Sequence, residues 1–279
     1  MPITLKISSK IKEKTLADLD KLETIFFEVL EDLKDYHDDL TLVGGWLSYV
    51  YSRFLWNNLR VNPVTTADID FGIGGGEQKV YSKTIFQILS NRDYTERHPK
   101  MDRMYPVVLY KEGTVRIDFI TFPEMSEETI EKFVGSQINI NRIEKFEFIL
   151  KNRIKVEVKD IKRKKSYVLN CPRPSAYVYH KLATFVSREN EQKKAKDLFY
   201  VYFMLRHAPD VENILKEAGQ YYKAGHFKEV PANLKKYFER KSSQGCLMVE
   251  KENGPDAFIA DVRQDIYERF SGLALRLCE

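Results

Sequence analysis

An α/β fold is predicted for this chain, and three observations predict it. Leu16, Leu19, Leu22, Phe26, Val29, Leu30 and Leu33 recur every three or four positions, with Asp, Glu and Lys between them, which is the spacing of an amphipathic helix. Residues 66–73 alternate instead: Ala67, Ile69, Phe71 and Ile73 fall on one side and Thr66, Asp68, Asp70 and Gly72 on the other, as in a strand. From Pro174 onward the pattern is mainly helical. A small mixed sheet with helices, followed by a mostly helical part, accounts for all three.

Taken in order, the helix of residues 16–33 leads to a short strand, Leu40-Thr41-Leu42-Val43, ended by Gly44-Gly45. Trp46 to Leu59 reads as a helix, Thr66 to Ile73 as the strand above, and Gly74-Gly75-Gly76 as its break. Val80 to Leu89 has helical spacing. Met104 to Tyr110 and Val115 to Thr121 read as two strands joined by a turn at Lys111-Glu112-Gly113. Beyond Pro123 the character changes, so two domains are expected, residues 1–125 and 126–279. In the second, Phe146–Leu150, Ile154–Val158 and Tyr167–Leu169 read as short strands, the middle one half-exposed and antiparallel. Ser175 is expected to cap a helix running to about Arg188, with further helices over about Gln192–Arg206 and Phe258–Leu277.

Composition sets bounds without naming a chemistry. With 279 residues, 43% hydrophobic and 31% charged, the chain is long enough for a real core. A net charge of +4 makes no claim for nucleic acid by itself. Cys171, Cys246 and Cys278 are far apart and odd in number, which argues against a zinc site or a disulfide framework. The start Met1-Pro2-Ile3-Thr4-Leu5-Lys6 lacks an apolar signal core, and no apolar run approaches the ~20 residues of a membrane span. A cytoplasmic protein with no membrane partner is expected.

Asp68-Ile69-Asp70 puts two carboxylates on one strand face, about 7 Å apart at a rise of ~3.3 Å per residue. Carboxylates that close repel each other, and a hard divalent cation such as magnesium or manganese removes the conflict. Asp118, in Val115-Arg116-Ile117-Asp118-Phe119-Ile120, is a third strand carboxylate whose apolar neighbours face the other way. Alone, such a pair is also what a solvated strand shows. Here it follows a strand, a Gly-Gly turn and a helix start, where glycines admit a polyphosphate to the backbone and unpaired N–H groups await it. A tight turn without a ligand is the alternative for Gly44-Gly45.

The ordered set Val43-Gly44-Gly45-Trp46, Thr66-Ala67-Asp68-Ile69-Asp70 and Arg116-Ile117-Asp118 resembles the polymerase-β-like nucleotidyltransferases. It looks most like the AbiEii group, toxins of toxin–antitoxin and phage-defence pairs. His180-Lys181-Leu182-Ala183, Arg188 and Lys196-Asp197-Leu198 are similar to that group's C-terminal helical motif. The resemblance spans about residues 40–205. It implies that Gly44 and Gly45 bind a nucleoside triphosphate, that Asp68, Asp70 and Asp118 hold Mg2+ or Mn2+, and that Lys181 and Asp197 complete the site, with Ser48 on a phosphate. The implied reaction transfers a nucleoside monophosphate from an NTP, releasing pyrophosphate, to an RNA or tRNA end or a protein side chain, and the implied partner is a cognate antitoxin.

The chain departs from the family's pattern at Val64, where an Arg is usual (Arg60 is the nearest), and at Tyr200, where a second helical Asp is usual. Lys181 and Arg188 also suit a solvated helix edge, and Asp197 a surface ion pair. The basic stretch Lys151, Arg153, Lys155, Lys159, Lys162, Arg163, Lys164 and Lys165 suits an RNA backbone, and equally a solvated surface. Trp46, Tyr49 and Phe54 are expected in the core rather than on a base, and His37, His98, His180, His207 and His226 have no ligand spacing. A small-molecule, antibiotic-type nucleotidyltransferase and a non-catalytic nucleotide- or partner-binding protein are the two other readings.

Overall fold

The computed structural model of the protein describes residues 16–59, 61, 66–74, 79, 81–97, 107–254 and 259–278. They form two compact units, the first ending at Pro172 and the second beginning at Arg173. In the first, α1 (Leu16–Asp32) leads through a 3-10 turn (Lys34–Tyr36) to β1 (Leu40–Val43) and α2 (Trp46–Val50), which continues as a π turn over Tyr51–Leu55. Then follow β2 (Asp68–Ile73), α3 (Ile85–Ser90), β3 (Tyr94–Arg97), β4 (Val108–Lys111), β5 (Val115–Thr121), α4 (Glu127–Phe133), β6 (Ile140–Arg142), α5 (Phe146–Lys151), β7 (Arg153–Asp160) and β8 (Lys165–Pro172).

The strands make one mixed sheet in the order β3-β4-β5-β2-β1-β8-β7, and β6 takes over from β4 along β5. β2 runs antiparallel to β1 and parallel to β5. This topology moves the boundary from the expected position near residue 125 to Pro172, because β6 and β8 rejoin the sheet, β8 lying parallel to β1. Ile69, Phe71 and Ile73 are fully buried, as their alternation requires, and the Phe71 and Phe119 rings stack 6.2 Å apart. Phe26, Val29 and Leu30 of α1, and Leu33 just beyond its end, are fully buried. Trp46 stacks on Phe26 at 4.3 Å, and Trp46 and Tyr49 belong to the core as expected.

Two local expectations change. The strand expected over Phe146–Leu150 is the helix α5. Phe146, Ile149 and Leu150 stand at helical i, i+3, i+4 spacing and pack with Val43, Ile120, Phe122 and Ile143. The second is α3, which begins at Ile85 behind a reciprocal Thr84–Gln87 cap rather than at Val80. Val80, Arg60, Val64, Gly75, Gly76, His98 and residues 104–106 lie outside the described residues.

α5 approaches the sheet at Gly72, where a Cβ would stand 2.9 Å from Phe146 Cζ and 3.1 Å from Leu150 Cδ2. Gly72→Ala is therefore expected to overpack this contact and cost about 1–3 kcal/mol, read as a lower midpoint in urea unfolding.

The second unit is helical: α6 (Pro174–Thr184), a 3-10 turn (Phe185–Ser187), α7 (Glu191–His207), α8 (Val211–Lys223), α9 (Val230–Phe238), α10 (Gln244–Asn253) and α11 (Val262–Cys278). Its core includes Tyr179, Leu182, Phe185, Leu198, Val201 and Leu273, with Phe238 and Phe270 stacked at 3.7 Å. Ser175 does not cap α6. Arg173 holds that position, Pro174 fills the first turn, where its missing N–H costs nothing, and the Ser175 hydroxyl donates to Glu217. Asn190 caps α7, accepting the N–H groups of Gln192 and Lys193. No helix among the described residues is long and apolar enough to cross a membrane.

Candidate active site

The aspartates meet through strand register. In the parallel β2–β5 pair Asp70 lies opposite Asp118, and Asp68 lies opposite Arg116. Residues opposite one another point to the same face, and so do residues two apart on one strand. Asp68, Asp70, Arg116 and Asp118 therefore share one face of two neighbouring strands. Val43 of β1 lies opposite Asp70 on the other side, so the turn at Gly44-Gly45 begins beside the same carboxylate. Thr66 fixes the start of β2, its hydroxyl donating to the Asp68 carbonyl at 2.8 Å.

Gly44 is shaped to this neighbour. Its φ of +74° favours glycine, and a Cβ there would overlap Asp70 Oδ2 and stand 2.8 Å from Asp70 Cγ. The Asp70 carboxylate thus occupies the space of the missing side chain. Gly44→Ala is expected to push that carboxylate aside and to add a left-handed strain of roughly 1–2 kcal/mol. Nucleotide-transfer assays and thermal melts of the same preparation check it: activity should fall at least tenfold, with a lower Tm.

Arg116 shares this face, although the motif it belongs to implies no role for it. Its Nε lies 2.9 Å and its Nη2 2.7 Å from one oxygen of Asp118, Oδ1. The Asp118 side chain is 10% exposed and that of Arg116 36%. Burial works against the Arg116 charge, but Asp118 and then Asp68 outweigh it, so the guanidinium's pKa stands above its ordinary value. An Arg two residues before a strand Asp is the signal that a sequence can offer, because equal parity puts both on one face. Below this ladder, Gly72 and Ile120 lead into the apolar α5 cluster, which floors the face.

As placed, no three acidic, histidine or cysteine side chains among the described residues gather into a ready cation cage. The donor chemistry nevertheless fits a hard divalent ion: two facing carboxylates, a third on the same face, and a glycine that leaves room for the central one. Gly45 stands at the N-terminus of α2. Ser48, expected on a phosphate, is wholly buried, and its hydroxyl has no hydrogen-bond partner among the described residues. Placed this way, it presents no surface to a ligand.

In the second unit Lys181, Arg188 and Asp197 come together. Lys181 donates to one oxygen of Asp197, and Arg188 Nε donates to the other at 2.9 Å. Asp197 is 5% exposed, so neither a solvated helix edge nor a surface ion pair describes it. Arg188 reaches it from beyond the end of α6 rather than along that helix. Burial alone would raise the Asp197 carboxyl, but Lys181 and Arg188 hold it below its ordinary range. Tyr200, at the position where the family's pattern usually has a second Asp, is a buried core residue.

Most of the basic stretch is engaged within the protein. Lys165 pairs with Glu31, Lys162 with Asp20, and Arg163 with Glu28 and Asp160, all but Asp160 on α1. Lys151 pairs with Glu147, Lys155 with Asp38 and Lys159 with Glu157. The Glu31 carboxyl, held mainly by Lys165 and then Lys34, drops to about 2. The basic stretch is thus largely paired with acidic side chains of the same unit.

A mixed sheet with three aspartates on two adjacent strands, behind a strand–Gly-Gly–helix turn, has the layout of a nucleotidyl-transferring fold. The chain belongs to a nucleotidyltransferase family, whose model matches residues 25–218. A solved structure described as an antigenic nucleotidyltransferase-like protein from Paracoccidioides brasiliensis is 12% identical, over 81% of this chain and 94% of that one, with a TM-score of 0.39. No curated protein matches the chain.

Proposed function

We propose that the protein is a divalent-cation-dependent nucleotidyltransferase that moves a nucleoside monophosphate from an NTP to an acceptor hydroxyl and releases pyrophosphate. The observation that carries this is the facing of Asp70 and Asp118 beside Asp68, with the Asp70 carboxylate seated against Gly44. Asp68, Asp70 and Asp118 are the residues that would hold Mg2+ or Mn2+. Such ions stabilise charge on a reacting phosphate and acidify an acceptor hydroxyl when bound. Gly44 and Gly45 admit the triphosphate to the backbone. Asp118 is assigned to the acceptor side, where it can take the hydroxyl proton. Lys181, oriented by Asp197, is assigned to the triphosphate on the motif resemblance.

The ordered motifs also support an AbiEii-like toxin role in the cytoplasm, with an RNA or tRNA end or a protein side chain as acceptor and an antitoxin as partner. Buried, unpaired Cys171 and Cys246 agree with a reducing compartment. Neutralisation of the basic stretch favours a second reading, a small-molecule acceptor, because it removes the surface that spoke for RNA.

The test incubates the protein with each α-labelled NTP and Mg2+ or Mn2+, in separate reactions with total RNA, with cell protein and with a small-molecule hydroxyl library. Metal-dependent label in one fraction, lost on chelation, is the expected result. No transfer to any fraction with any NTP would remove the enzyme reading.

A further inference from the structure

The cross-strand row that holds Asp70 and Asp118 continues through the sheet to β7. Asp118 lies opposite Asp70, and Asp70 opposite Val43. In the parallel β1–β8 pair Thr41 lies opposite Asn170, so Val43, two residues on, lines up with Pro172, and Pro172 lies opposite Arg153. Residues in one such row point to the same face. Arg153 therefore shares the face of Asp70 and Asp118, on the far side of the strand that leads into Gly44-Gly45. Its Nη1 donates to Thr41 Oγ1 at 3.2 Å, a contact that requires the same side. Asp70 and Arg153 are three strand spacings apart, about 14 Å between Cα atoms at ~4.8 Å per strand.

Arg153 is the odd member of the basic stretch. On this face Arg116 answers Asp118, Lys155 answers Asp38 and Lys159 answers Glu157, whereas Arg153 meets no carboxylate among the described residues. It is a part-buried guanidinium with five N–H donors, and its acceptor among the described residues is a neutral hydroxyl. A cation drawn partly out of water on such terms is short of a counter-charge, and an anion supplies it. Thr41 is fully buried, so it fixes the guanidinium without covering the remaining donors.

We propose that Arg153 receives the terminal phosphates of the nucleotide, a part that the motif resemblance does not assign to it. The inference rests on the nucleotidyltransferase reading, which puts the reacting phosphate at the aspartates and the rest of the triphosphate along the Gly44-Gly45 turn. That turn leaves β1 between Asp70 and Arg153 in the row. Phosphates running away from the aspartates past the turn therefore run toward the guanidinium. Its planar fork suits a pair of phosphate oxygens, at charge-assisted strength.

The experiment titrates the full chain calorimetrically with the α,β-imido analogues of ATP, GTP, CTP and UTP and with the four monophosphates, in the presence of Mg2+. For the base that wild type binds, Arg153→Ala is expected to weaken the triphosphate analogue by about tenfold or more and the monophosphate by less than about twofold. Arg153→Lys should recover part of the loss, since it restores the charge without the fork. Lys155→Ala, on the same face but paired with Asp38 at an exposed position, should leave both affinities within about twofold. If Arg153→Ala fails to fold, judged by circular dichroism, Arg153→Gln, which keeps a donor for Thr41, takes its place. Unchanged triphosphate affinity in Arg153→Ala, an equal loss for mono- and triphosphate, or the same loss in Lys155→Ala would each overturn the inference and leave the reading beneath it in place. Binding of none of the nucleotides by wild type would remove both.

Discussion

Asp70→Asn is expected to abolish nucleotidyl transfer while leaving the protein folded. Asn keeps the shape and one acceptor oxygen but loses the charge that holds a divalent ion. Asp70 is the central carboxylate, facing Asp118 across the β2–β5 pair and lying two residues from Asp68. Asn also keeps the side-chain volume, so the metal-free protein should stay folded, with a stability change of about 1 kcal/mol. A bystander on a solvated strand would change neither activity nor cation binding. Thermal melts with and without Mg2+ separate the cases. Wild type should gain stability with the ion, because anything binding only the native state raises its melting temperature, and Asp70→Asn should gain less. Equal gains together with undiminished transfer would sink the assignment of Asp70.

Asp197→Ala is expected to have the largest effect on stability. It leaves the ammonium of Lys181, whose side chain is 13% exposed, and the guanidinium of Arg188 without their shared carboxylate. Breaking a buried pair from one side costs about 3 kcal/mol or somewhat more. In the second unit that corresponds to roughly 10 °C or more in Tm by calorimetry. Lys181→Met should cost less, because Arg188 still answers Asp197.

Acid gives the same contrast. The Asp197 carboxyl lies below its ordinary range when folded, so its contribution is complete above about pH 4 and is lost as pH falls through the lowered value. Below pH 4 the difference between wild type and Asp197→Ala should therefore narrow. A difference independent of pH across that window would show that the carboxylate is not what stabilises this cluster.

The features legible in the sequence were those governed by parity. Alternation alone put Asp68 and Asp70 on one face and Ile69 and Phe71 on the other, and both faces are as expected. α5 misled because Phe146, Phe148 and Leu150 alternate like a strand, and a short apolar run has no period long enough to decide between the two. Its helical state is settled by what it packs against, above all the gap at Gly72. The basic stretch failed as a signal for a related reason. Its partners Asp20, Glu28 and Glu31 lie far back in the chain on α1, and no local count of charges reveals that pairing. The convergence of Lys181 and Arg188 on Asp197 is equally non-local, and only the motif resemblance suggested it.

The place of β1 in the sheet bears on how the protein is made. One neighbour, β2, follows it closely in the chain, while the other, β8, begins only at Lys165. A nascent chain that has emerged to Thr121 already carries β1, β2 and β5 with all three aspartates, yet one edge of β1 is bare. At about 5–20 residues per second of synthesis, that edge waits roughly 3–10 s for β8. Throughout that interval an open strand beside an apolar core can pair with another chain instead. Co-translational chaperone capture should therefore peak on ribosomes stalled between these two points and fall once Pro172 has cleared the exit tunnel.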